Sequence, residues 1–162
     1  VYGIYKTISS LSSTLMVLDL GIGSTVMRYI AKYKADKEES KIGNFLAMMF
    51  FEAIVIVLII ALICSGIYYN IPRMYQNTFS PDQINLAQSL FMILTLNMCL
   101  HIFENVINGI VTGYNDFIFG NGIKLIRLIV RIILIFMILN NHPSAILLVL
   151  IDTIVTIMAL II

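Results

Sequence analysis

Lys124, Arg127 and Arg131 stand at i, i+3 and i+7 in an otherwise apolar run, so in a helix they share one face. Asn97, His101, Glu104 and Asn108 stand at i, i+4, i+7 and i+11 in the preceding apolar run, and Thr112 extends that stripe. Three more acids, Asp19, Glu52 and Asp152, lie inside further apolar runs. Each central charge costs about 2.5–3.5 kcal/mol to insert into a bilayer, so such side chains face protein or a water-filled space rather than lipid. Buried acids of this kind bind a coupling cation or proton, or pair with cations for structure. His101 reads more simply as a hydrogen-bonded interior histidine than as a ligand. No Ser/His/Asp or Cys/His arrangement with catalytic logic is present, and the sequence implies no catalytic residue, no metal and no cofactor.

The rest of the chain explains why these charges are notable. Of its 162 residues 60% are apolar and 12% are charged, with mean hydropathy +0.98. Soluble domains carry roughly 25% charged residues, so the composition argues against an ordinary soluble domain, and five segments of span length argue against a buried helical bundle in a soluble protein. Net charge is +1, too small for a nucleic-acid footprint. Cys64 and Cys99 lie in apolar runs and form no C-x-x-C pair, which excludes a disulfide framework and a zinc ribbon. Continuous Ile, Leu and Val runs lack the alternation of a membrane β-barrel.

The fold class expected is an all-α integral membrane bundle. A bilayer core of about 30 Å takes roughly 20 helical residues. Five spans are expected, over about 4–27, 42–69, 83–112, 118–139 and 144–162. Polar punctuation sets their limits. Asp36 with Glu39 fits a capping box leading to Ile42, and Ser80-Pro81-Asp82-Gln83 fits another with proline at the first helical position. Tyr114-Asn115-Asp116-Phe117 and Asn140-Asn141-His142-Pro143 read as turns. The segment from Arg28 to Lys41 holds five basic residues and the segment from Asn70 to Gln83 holds one, so the first is expected in the cytoplasm and the second outside. Tyr68, Tyr69 and Tyr75 then fall in the outer aromatic belt. The chain starts at Val1 on the outer side and ends in an apolar run at Ile162, which reads as an internal piece of a longer protein.

The fourth span is the expensive one. Its apolar residues contribute roughly −4 to −8 kcal/mol, and its three cations cost roughly 8–10 kcal/mol. Relief comes from its neighbour. The turn between Asn115 and Asp116 makes the third and fourth spans antiparallel, so residues at equal depth carry numbers totalling 231, as 104 and 127 do. Glu104 is therefore expected beside Arg127, with His101 near Arg131 and Asn108 near Lys124. Gly109-x-x-x-Gly113 is a close-packing pattern short enough to arise by chance. Gly21-Ile22-Gly23 fails the dinucleotide fingerprint, having no third glycine and no preceding strand.

Tyr2-Gly3-Ile4-Tyr5, then Leu18-Asp19-Leu20-Gly21-Ile22-Gly23, then Arg28-Tyr29 before a basic segment resemble the bacterial polysaccharide repeat-unit flippases of the multidrug/oligosaccharidyl-lipid/polysaccharide exporter superfamily. Asn108-Gly109 through Phe117-Ile118, and the basic residues Lys124 and Arg127, resemble later spans of that family. The resemblance implies twelve to fourteen helices in two lobes, of which this chain matches helices two to six of the first. The first helix and the second lobe are missing from it. It also implies that the whole protein moves a polyprenyl-diphosphate-linked oligosaccharide across the bacterial cytoplasmic membrane, among membrane lipids and polysaccharide assembly proteins, with no nucleic acid. On that basis Lys124, Arg127 and Arg131 form a cationic wall for the diphosphate, and Asn97 and Asn108 meet sugar hydroxyls. Asp19, Glu52, His101, Glu104 and Asp152 are left for ion coupling or structure. A drug–cation antiporter of the same superfamily would favour an acidic cavity with few arginines. A non-transporting membrane scaffold would pair every charge and leave no cavity.

Overall fold

A computed structural model of the protein describes residues 2–15, 21–115, 117–139 and 145–161. All of its elements are helical: α1 (Tyr2–Leu15), α2 (Ile22–Ala35), α3 (Ile42–Tyr75), α4 (Pro81–Gly113), α5 (Phe117–Leu139) and α6 (Ala145–Ile161), with a short 3-10 turn at Glu39–Lys41 before α3. Two stretches among the described residues, Glu39–Tyr75 and Pro81–Gly113, are long and apolar enough to cross a membrane. The helix Ala145–Leu160 is apolar but shorter.

The single span expected over 4–27 is instead two helices. Gly21 takes a left-handed conformation (φ +70°), which an α-helix cannot carry through, and α2 starts one residue later. The hydroxyls of Ser24 and Thr25 donate to the Gly21 carbonyl at 2.7 and 3.2 Å and fix that start. α2 then continues through Arg28, Lys32 and Lys34, where a loop was expected. It ends in a Schellman arrangement: Glu38 N–H donates to the Tyr33 carbonyl at 2.8 Å and Lys37 N–H to the Lys34 carbonyl at 3.2 Å. Lys37 occupies the left-handed position usually given to glycine (φ +57°). Asp36 is thus the end of α2 rather than the cap of α3, which starts after Lys41 without a side-chain cap. The other expected cap is present. The backbone N–H of Ser80 donates to Gln83 Oε1 at 3.0 Å, with Pro81 at the first helical position.

Gly21→Ala should cost about 1–2 kcal/mol, because a β-carbon is disfavoured in this conformation. The check is a lower unfolding temperature in detergent, with Gly3→Ala as control; a β-carbon at Gly3 meets nothing within 4 Å.

α4 is the hub and touches each of the other five helices. Its Leu90, Phe91 and Val106 share one core with Ile8 of α1, Val26 of α2 and Ile60 of α3, all nearly inaccessible. α2 is held closest. A β-carbon at Gly109 would come within 2.5 Å of the Gly23 carbonyl oxygen, and one at Gly113 within 2.9 Å of Ile30 Cβ. The Gly109/Gly113 spacing is therefore a real packing seam that lets two backbones approach. The outward face of α3 is apolar, with Leu62 75% and Phe51 68% exposed. Such a face is at home in lipid or against another protein.

Candidate functional site

α4, α5 and α6 meet in a fixed register. The Tyr114–Asn115 turn sends α5 back along α4, and Glu104 meets Arg127 as the count from that turn requires: Arg127 Nη1 donates to Glu104 Oε1. The other carboxylate oxygen, Oε2, lies 3.1 Å from His101 Nδ1. Arg127 Nη2 donates to Thr156 Oγ1 of α6 at 2.7 Å, and that hydroxyl in turn donates to the Asp152 carbonyl at 2.8 Å. One turn along α5, Arg131 forms a two-pronged pair with Asp152, Nε to Oδ1 at 2.7 Å and Nη2 to Oδ2 at 3.0 Å.

α5 and α6 are thus antiparallel with paired numbers totalling 283, as 127 with 156 and 131 with 152 do. α4 and α6 run parallel with an offset of 52, and Asn97 Nδ2 donates to the Val149 carbonyl across that offset at 3.4 Å. These relations agree with one another, so three helices share a single register around Arg127.

The expected neighbour of Arg131 was His101. Asp152 takes that place, because α6 brings a full negative charge to the same depth whereas a neutral imidazole offers no compensating charge. His101 turns to Glu104 on its own helix. Asn108 and Lys124 line a small pocket of about 30 Å³ beside Glu104 and Arg127. Lys124 is exposed and forms no ion pair among the described residues. Glu52 is exposed on α3 and stands apart from this cluster. Asp19 lies outside the described residues, as do Asn140 to Ser144. Thr156 is a partner that sequence reasoning passed over. The available signal was its place one turn after Asp152, on the same face of α6.

Asn97, His101, Arg127, Arg131, Asp152 and Thr156, with Leu94 and Val155, line one open cleft of about 280 Å³. The Glu104–Arg127 pair is the more enclosed, with side chains 12% and 28% exposed. The Arg131–Asp152 pair opens further to the cleft, at 46% and 31%. With His101 neutral, the two arginines and two carboxylates balance. Asn97 Oδ1 is buried with no hydrogen-bond partner. Among the described residues no three His, Cys, Asp or Glu side chains converge to hold a metal ion. The cleft therefore offers guanidinium donors and an imidazole among apolar walls. No protein-family model, no curated protein and no solved structure matches this chain.

Proposed function

We propose that this chain is part of a transporter that carries a polyprenyl-diphosphate-linked oligosaccharide across the bacterial cytoplasmic membrane. The observation that carries the reading is the cleft itself, where two arginines, an acid, a histidine and an amide are gathered among apolar helices. Apolar packing stabilises as well as buried ion pairs do, so a charged cluster held at this cost favours a role beyond holding the helices together. The resemblance of Tyr2–Tyr5, Gly21–Gly23 and Arg28-Tyr29 to the flippase pattern supplies the substrate class. In this reading α1 with α2, then α3, α4, α5 and α6, form five spans. Arg127, Arg131 and the exposed Lys124 meet the diphosphate, Asn97 and Asn108 meet sugar hydroxyls, and the prenyl tail stays in lipid.

A full-length protein of this kind, expressed in a bacterium deprived of its own lipid-linked-oligosaccharide exporter, should restore surface polysaccharide. Arg131→Ala should reduce that polysaccharide at unchanged membrane abundance. Full restoration by Arg131→Ala would show that Arg131 is not an essential substrate contact. The scaffold reading draws support from the pairing of Glu104, Arg127, Arg131 and Asp152. It expects no restoration by the unaltered protein either.

Orientation is tested separately. In a chain with Cys64 and Cys99 replaced by alanine, a membrane-impermeant maleimide applied to intact cells should label Asn77→Cys and leave Lys37→Cys unlabelled until the cells are opened. The basis is the five cations from Arg28 to Lys41 against one from Asn70 to Gln83. Labelling of position 37 alone would invert the topology.

A further inference from the structure

The geometry points to coupled binding in the α4–α5–α6 cleft: an oxyanion on the unused N–H groups of Arg127 and Arg131, taken up together with a proton on His101. The inference rests on the transporter reading only in taking this cleft as the place where an anion arrives.

As folded, the cleft is not a standing anion site. Each arginine is matched by one carboxylate, Arg127 by Glu104 and Arg131 by Asp152. Yet the bonds described occupy two N–H groups of each guanidinium, out of the five such a group carries. Donors are present, but the net charge that would draw an anion from water is lacking. The charged groups around His101 are Glu104 on its own helix, Arg127 and Arg131 from α5, and Asp152 from α6. Of these, His101 alone is of a residue type that ordinarily titrates between pH 5 and 8. Its protonation changes the balance of the cleft from zero to one positive charge.

One contact already suits the protonated ring: Nδ1 faces Glu104 Oε2 at 3.1 Å. A second proton adds an Nε2–H donor. An imidazolium on Oε2 shares the single Glu104 charge with Arg127 on Oε1, so the carboxylate no longer neutralises Arg127 alone. Proton and anion thus favour one another, and by linkage each raises the other's affinity by the same factor.

The test uses sulfate, whose charge is constant over the range studied, with chloride as control. The protein is placed in nanodiscs with ¹³C-labelled histidine. The chain has two histidines, His101 and His142, and His142→Gln leaves a single signal to follow. Saturating sulfate should move the titration midpoint of His101 upward. Sulfate should bind about tenfold more tightly at pH 5.5 than at pH 8, the scale set by one charge a helical turn away. His101→Gln keeps a donor toward Glu104 and should bind sulfate equally at both pH values. Arg131→Gln should weaken sulfate binding while the histidine still titrates. A midpoint indifferent to sulfate, or the same pH dependence in His101→Gln, overturns the inference. Failure to restore polysaccharide with sulfate coupling intact would remove the transporter reading and leave this one standing. Restoration with an indifferent midpoint would do the reverse.

Discussion

Glu104→Gln should destabilise the bundle by about 3 kcal/mol, and adding Arg127→Gln should recover more than half of that loss. The single change removes the carboxylate charge and leaves the Arg127 guanidinium, 28% exposed, with the Thr156 hydroxyl as its one other hydrogen-bond partner among the described residues. An unpaired charge in an enclosed apolar setting is the costly species, whereas the double variant leaves no unpaired charge behind. Arg127→Gln alone should be milder than Glu104→Gln, since His101 Nδ1 remains beside the carboxylate. Unfolding of the four proteins in a graded mixture of mild and denaturing detergents measures the cycle. Equal and additive losses would show that the pair contributes no coupling. A double variant that is stable but exports nothing would assign Arg127 a second role, with substrate phosphate as the first partner to examine.

Gly109→Leu should separate α2 from α4 and lower folded protein in the membrane severalfold. Even a single β-carbon there would meet the Gly23 carbonyl oxygen at 2.5 Å and Val26 Cβ at 2.9 Å. Because the first obstacle is backbone, no rotamer change relieves it, and overpacking of this kind costs about 1–3 kcal/mol or more. Gly122→Leu is the control, since a β-carbon at Gly122 meets nothing within 4 Å. Abundance of the two variants, read by immunoblot of the membrane fraction, should differ. Equal abundance would mean that the α2–α4 seam is not needed for a folded chain.

The parts of the fold legible in the sequence are those governed by local counting. The Ser80 cap, the long apolar helices and the Glu104–Arg127 match all follow from spacing within one helix or across one short turn. The partner of Arg131 was open to the same count and was missed: the turn read at Asn140–Pro143 is centred between Asn141 and His142, so facing residues there carry numbers totalling 283, as 131 and 152 do. The division of the first expected span also escaped. Gly21 was weighed as part of a nucleotide fingerprint, when its physical meaning was a left-handed residue that starts a helix afresh. Gly109 and Gly113 were discounted because small-residue spacing is common, and only the approach of α2 shows that the space is filled.

The shared register around Arg127 also bears on how the protein is made. α5, taken alone, roughly breaks even between membrane and water, because its three cations offset its apolar residues. Glu104 is synthesised before it, but Asp152 and Thr156 are synthesised after it. A nascent chain that has emerged only through Leu139 holds one of the two carboxylates that neutralise α5 and lacks the hydroxyl that completes Arg127. On the proposed membrane reading, commitment of α5 to the bilayer waits for α6. Under that reading α5 and α6 are expected to leave the translocon as a pair, and a stop codon placed between them should yield a product whose α5 stays accessible to quality-control proteases.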